Sequence, residues 1–252
     1  MSRLRKRLAL TVLLLLAAGC QGATEKRAAG ARLMVSAAAS LTDAFAEIER
    51  AFETAHPRVD AVLNLGASST LREQILGGAP VDVFAAADAR TMDAVVAAGL
   101  IADTPRSFAL NRLAIAVPKG NPADLVGLED FRRTELLIGL CAIEVPCGSL
   151  ARRVLSSAGV DASPDSSEPN VRALLAKLEI GELDAGLVYE SDTAASDLVE
   201  RLPIPEARNA VVDYPIAIVA GSANRHHAAA FVDFVLAEKG RAILERHGFG
   251  LP

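Results

Sequence analysis

The chain has 252 residues, with 26 Lys+Arg against 31 Asp+Glu and only 4% aromatic residues. That length suits one large domain or two lobes of roughly 100 residues each. The acidic balance argues against nucleic acid as a partner, because no excess of cations is available to replace phosphate counterions.

The N-terminus reads as an export signal. Arg3, Arg5, Lys6 and Arg7 form a basic region, and the apolar run 8–18 that follows is too short and wrongly flanked to span a membrane. It ends in Leu16-Ala17-Ala18-Gly19-Cys20. Small residues directly before a cysteine resemble a lipobox, in which Cys20 becomes the lipidated first residue. An ordinary secretory signal with a chance cysteine is the alternative. The expected organisation is a signal peptide over 1–19 and a tether over 20–30. Setting aside the four basic signal residues leaves 22 Lys+Arg against 31 Asp+Glu, a balance of −9, so no anion is attracted to the exported chain by its overall charge.

Beyond the tether, apolar strand patterns alternate with helical ones. Residues 32–37 read as a strand, 40–54 as a helix, 59–65 as a strand, 69–76 as a helix, 81–86 as a strand and 90–98 as a helix. Leu41, Ala44, Phe45, Ile48 and Phe52 recur at helical spacing and form one apolar face. Asp43, three residues after Ser40, approaches a capping pattern. Strand 113–117 stops at Pro118-Lys119-Gly120-Asn121-Pro122. A second series follows: strand 136–140, helices 149–158 and 171–180, and strand 185–189. Residues 214–221 read as a strand, and the chain ends in a helical segment that Gly240 is expected to interrupt. Such alternation predicts an α/β fold with a largely parallel sheet. Two lobes follow, 31–112 and 113–214; the alternation alone does not return 215–252 to the first lobe.

Two stretches share one design. LMVSAAASLTDAF (33–45) and VLNLGASSTLREQI (62–75) each run from a short strand into small and hydroxyl residues at a helix start. Ser40 and Ser68 sit at these junctions. A helix start offers unpaired N–H groups and the positive end of the helix dipole, so two such junctions facing each other would hold a small anion without a charged side chain. Taken singly, each serine is an ordinary helix cap. Two further helix starts stand out: VPCGSLARRVL (145–155), with Cys147 between Pro146 and Gly148, and SSEPNVRALLAKL (166–178), where Asn170 or Ser167 could cap the turn that begins at Val171. Tyr189, one of only two tyrosines, ends the strand in GELDAGLVYESD.

The two cysteines of CAIEVPC, Cys141 and Cys147, have five residues between them rather than the two of a thioredoxin-type pair. An exported compartment permits a disulfide there, with two free buried thiols as the alternative. His56, His226, His227 and His247 are scattered without metal-ligand spacing. Asp82 and Asp88 read as structural, and Arg132-Arg133 and Arg152-Arg153 as solvated faces. A serine hydrolase lacks support, because neither serine lies in a Gly-x-Ser-x-Gly elbow.

Seven motifs in order carry a resemblance: AAASLTDAF, GASSTLREQI, GAPVDVFAAAD, NRLAIAVPKGNP, VPCG, GELDAGLVY and YPIAIVAG. Over about 31–252 the chain is similar to the periplasmic molybdate-binding proteins of ABC importers. The resemblance implies a two-lobed periplasmic binding fold (type II), each lobe a mostly parallel sheet flanked by helices, with the ligand between the lobes. It alone implies that 215–252 returns to the first lobe, so that the lobes are 31–112 plus 215–252, and 113–214. It implies that molybdate or tungstate is held by neutral donors: hydroxyl and N–H of Ser40 and of Ser68, the N–H groups of Cys147 and Val171, and the phenol of Tyr189. No direct metal-ion ligand and no extra acidic ligand is expected, which favours a tetrahedral oxyanion. Many relatives carry alanine at Cys147 and an acidic-proline turn at Cys141-Ala142. A backbone donor tolerates that change, and a Cys141–Cys147 disulfide would stiffen the loop that presents it. The expected protein is a non-enzymatic, cofactor-free, monomeric lipoprotein on the extracytoplasmic face, anchored through Cys20. Its partners would be the oxyanion, an inner-membrane ABC permease and the membrane, but no nucleic acid. A sulfate or thiosulfate carrier is the nearest alternative.

Overall fold

The first strand, β1 (Ala31–Ala38), sets the frame. Leu33, Val35 and Ala37 are buried on one face and Ser36 and Ala38 on the other, as expected of a strand covered on both faces. β1 pairs in parallel with β2 (Val59–Gly66) and with β3 (Val83–Ala85). The computed structural model describes residues 30–252. The signal 1–19, Cys20 and the tether apart from Gly30 lie outside the described residues.

Nine strands form one sheet in the order β2-β1-β3-β9-β4-β7-β5-β6, with β8 also on β4. The outer pairs are parallel: β1 with β2 and β3, and β5 (Ile138–Cys141) with β6 (Ser166–Glu168) and β7 (Ala185–Tyr189). The antiparallel pairs all involve two strands. β4 (Arg106–Pro118) pairs through Arg106–Arg112 with β9 (Val211–Ile218), then through its second half with β7 and with β8 (Val199–Leu202). β9 continues onto β3. Thus β4 and β9 are the strands by which the chain passes between two sheet halves, giving the two-lobed α/β architecture. The strand expected at 113–117 is only the second half of β4.

Helices cover both halves. A 3-10 turn, Ala39–Leu41, leads into α1 (Thr42–Ala55); α2 (Ser68–Leu76) and α3 (Ala89–Ala97) follow β2 and β3. On the other half lie α4 (Pro146–Ser157), α5 (Val171–Glu179) and the short α6 (Glu190–Ala194). Strands β6 and β8 and helix α6 had no expectation from sequence. All three are at most five residues long, too short to display a period. The core is chiefly Ala, Val, Leu and Ile, with one aromatic cluster: Phe52 meets Phe231 edge-on at 5.1 Å, and Phe45 lies 5.8 Å from Phe108.

The C-terminal segment forms α7 (Arg225–Leu236) and α8 (Glu238–Arg246). They pack on α1, where Phe231 meets Phe52 and His247 Nε2 lies 2.9 Å from Glu47. The break falls at Ala237, not at Gly240, which corrects the expected interruption. Gly240 is buried within α8, and a Cβ there would lie 2.4 Å from the carbonyl oxygens of both Phe234 and Val235. The glycine therefore permits close approach of two helices. Gly240→Ala should gain about 1 kcal/mol in helix propensity but lose about 1–3 kcal/mol to overpacking. Chemical denaturation should show a net destabilisation of up to about 2 kcal/mol; a higher midpoint would contradict this account of Gly240.

Candidate functional site

Each predicted position is delivered by the end of a strand or the start of a helix. Ser40 lies in the 3-10 turn between β1 and α1 and is 7% exposed. It does not cap α1, because the turn winds the chain past it and the N-cap falls at Leu41. The capping pattern expected between Ser40 and Asp43 is therefore not formed. Ser40 Oγ instead lies 2.9 Å from Tyr214 Oη, and Asp43 pairs at 2.9 Å with Arg172 Nη1 on α5.

Ser68 opens α2 and is 1% exposed. Its Oγ accepts from the Ala87 N–H at 2.9 Å, which leaves the Ser68 proton available to a further acceptor. The first N–H bonded into α2 is that of Leu71, which donates to Ala67 O at 3.0 Å. The Ser68 N–H precedes it and has no place in the helical ladder.

On the other half, α4 begins at Pro146, a residue preorganised for the first helical turn. Cys147 follows and is disulfide-bonded to Cys141, with Cα atoms 5.9 Å apart. The loop between them folds tightly onto the helix start: a Cβ on Gly148 would lie 1.9 Å from Ala142 O, so only glycine fits. The first N–H bonded into α4 is that of Ser149, which leaves the Cys147 N–H ahead of the ladder. Asn170, not Ser167, caps α5, its Oδ1 accepting from the Ala173 N–H at 3.0 Å. Ser167 belongs to β6. The Val171 N–H again lies before the first helical bond, which Leu174 donates.

Tyr189 ends β7 and is 1% exposed. Among the described residues its Oη has no hydrogen-bond partner. Burial pushes its pKa well above the ordinary tyrosine value, so the phenol is a donor at neutral pH. A buried phenol generally finds a partner; this residue lines a cavity.

All five positions line one cavity of about 20 Å³. Ala38, Ala39, Ala67 and Ala87 complete one side, and Val145, Pro146 and Asn170 the other. The space is on the scale of one small ion, far below the several hundred Å³ of a site for an organic ligand. No charged side chain lines it. Helix-start N–H groups, two serine hydroxyls and one phenol therefore form a wall of neutral donors, suited to a group that only accepts hydrogen bonds.

Two residues of this neighbourhood escaped the sequence reading. Tyr214, on β9, is fully buried behind Ser40; its only signal was its place at the head of YPIAIVAG. Asp192, in the first turn of α6, is 1% exposed. Its Oδ2 accepts from the Tyr189 N–H at 3.0 Å, and its Oδ1 has no partner. The other residues singled out have local roles. Asp88 caps α3 by accepting from the Thr91 N–H, Asp82 accepts from the Met34 N–H, and His56 stacks on Phe52. Among the described residues no group of three or more His, Cys, Asp or Glu could hold a metal ion.

Burial raises the Asp192 pKa from 3.8 to about 7, opposed by the hydrogen bond from the Tyr189 N–H and the nearby Arg172. A carboxyl with a raised native pKa binds its proton more tightly in the folded chain. Its contribution to stability is therefore complete below about pH 4, falls as pH rises from 4 to 7, and is flat above. Asp192→Asn, which keeps an acceptor for the Tyr189 N–H, should flatten this part of the stability–pH curve. Thermal melts at pH 5 and 7.5 test it; an unchanged pH dependence in the variant would count against a buried, titrating Asp192.

Comparison with known proteins identifies the family and the fold. The family model described as bacterial extracellular solute-binding protein matches residues 33–250. The molybdate-binding protein ModA of Mycobacterium tuberculosis (strain H37Rv) is 40% identical over 225 residues, covering 88% of this chain and 86% of the relative. The solved periplasmic molybdate-binding protein of Azotobacter vinelandii superposes with a TM-score of 0.77 at 19% identity, over 87% of this chain and 99% of that one. The sulfate-binding protein SubI of Mycobacterium tuberculosis H37Rv shares the fold with a TM-score of 0.73 at 18% identity, over 87% and 86% of the two chains. On the family match and the 40% identity, the chain belongs to the bacterial extracellular solute-binding proteins.

Proposed function

We propose that this chain is the substrate-binding component of an ABC importer and captures molybdate, and tungstate with it, between its two lobes. The observation that carries the proposal is the cavity shared by Ser40, Ser68, Cys147, Val171 and Tyr189, small and free of charged side chains. The ligand preference is supported by the 40% identical relative named as molybdate-binding.

A dianion enclosed by neutral dipoles is stabilised without fixed positive charges, which would attract any anion. Ser40 and Ser68 would each give a hydroxyl and an N–H, Cys147 and Val171 an N–H each, and Tyr189 its phenol. Each charge-assisted hydrogen bond contributes roughly 1.5–3 kcal/mol. Several together can outweigh desolvation and lobe ordering, consistent with sub-micromolar affinity, about −8 kcal/mol or better. A phosphate that keeps a proton would favour a strong acceptor such as a carboxylate, and these five positions offer only hydroxyls and backbone N–H groups. Sulfate is the serious rival, being a fully deprotonated tetrahedral dianion of smaller size.

The lobes would be 31–112 with 215–252, and 113–214. Donors come from both, so ligand binding would favour the closed arrangement. Cys20 would carry the lipid anchor that holds the exported protein at the membrane, and an inner-membrane permease would receive the anion. The chain would act as a monomer and make or break no bond. Ser68→Ala should weaken molybdate binding by about 1–3 kcal/mol in titration calorimetry. Unchanged affinity would remove Ser68 from the site, and tight sulfate binding with no response to molybdate would favour the sulfate carrier.

A further inference from the structure

We infer that Tyr214 is a positioning residue of this site: its phenol donates to Ser40 Oγ and so turns the Ser40 proton toward the bound anion. The inference rests on the oxyanion reading of the cavity.

Tyr214 Oη lies 2.9 Å from Ser40 Oγ, and either oxygen could donate in that contact. An anion in the cavity removes the ambiguity. A fully deprotonated oxyanion only accepts, so Ser40, which has one proton, must direct it into the cavity. Its lone pairs are then left facing Tyr214, and the phenol must donate. Two O–H groups in series polarise each other, which strengthens the bond at the end of the chain. The phenol keeps its proton, because burial holds its pKa above the ordinary tyrosine value.

Tyr214 does not itself line the cavity, so it acts through Ser40. Its position is tightly fixed. On β9 it pairs with Ala109 of β4, and its ring packs edge-on against Phe108 at 6.3 Å, Tyr189 at 5.9 Å and Phe249 at 5.6 Å. Ser68 has the same arrangement with a different donor behind it, since the Ala87 N–H occupies its Oγ and leaves its proton free. Both serines are thus backed by a rigid donor, one a backbone amide and one a phenol. Only the phenol can be removed by substitution.

The test is a double-mutant cycle read by molybdate titration of wild type, Tyr214→Phe, Ser40→Ala and the double variant. Tyr214→Phe keeps the ring and its packing. It should weaken binding about three- to tenfold when Ser40 is present, and leave affinity unchanged in the Ser40→Ala background. An equal loss in both backgrounds, or no loss in either, would overturn the inference. A wild-type protein that does not bind molybdate would instead overturn the oxyanion reading on which it rests.

A second measurement leaves Tyr214 in place. The chain has two tyrosines and no tryptophan, so in Tyr189→Phe the only tyrosine is Tyr214. Saturating molybdate should then shift the near-UV tyrosine absorption, and the shift should vanish when Ser40→Ala is added. A flat difference spectrum in Tyr189→Phe, or the same shift with and without Ser40, would contradict the link.

Discussion

A helix cannot satisfy its own first N–H groups, and the site depends on that fact. In most helices a side chain or water takes them up. Here the starts of α2, α4 and α5, together with the tight turn before α1, bring residues at four such starts to one cavity of about 20 Å³. Where a cap is present it is selective: Asn170 takes the Ala173 N–H and leaves that of Val171. The serines at two of the starts turn away from capping, Ser40 to Tyr214 and Ser68 to Ala87. Donors are thus conserved for the cavity rather than spent on the helices.

The same constraint explains the neighbouring loop. The Cys147 N–H would serve the proposed site only if the start of α4 is held in place, and the disulfide, Pro146 and the contact that only Gly148 permits all restrain it. Between the halves, β4 and β9 carry the chain across, and Arg172–Asp43 spans from α5 to α1. That ion pair is 31% exposed at Arg172 and 42% at Asp43, so it contributes at most about 1 kcal/mol. In the proposed function the stronger bond between the lobes would be the anion itself, shared by donors from both.

Much of this was legible in the chain because its periods are clear. The apolar face of α1 and the strand at 185–189 read directly, and the strand-to-serine junctions identified half of the donor set without any relative. Cys147 and Val171 were different. A backbone N–H leaves no mark on residue type, so their candidacy came wholly from the resemblance. The short elements β6, β8 and α6 lay below the length at which periodicity speaks. Gly240 was misread because a glycine in a helical pattern usually signals a break, whereas here it lets α8 fold closely back against the end of α7, at the carbonyls of Phe234 and Val235. Tyr214 was missed because its role depends on a contact made across the fold, with Ser40 174 residues away; Asp192 was missed although its contact, the Tyr189 N–H, is only three residues back.

The central claim is that neutral donors enclose a fully deprotonated tetrahedral dianion of molybdate size. A thermal-shift panel of molybdate, tungstate, sulfate, phosphate and chromate on the exported domain tests it most directly, since a ligand bound only by the folded chain raises its midpoint. The account predicts large, similar shifts with molybdate and tungstate, a smaller one with sulfate and none with phosphate. A phosphate shift equal to that of molybdate, or no shift with molybdate, would contradict it.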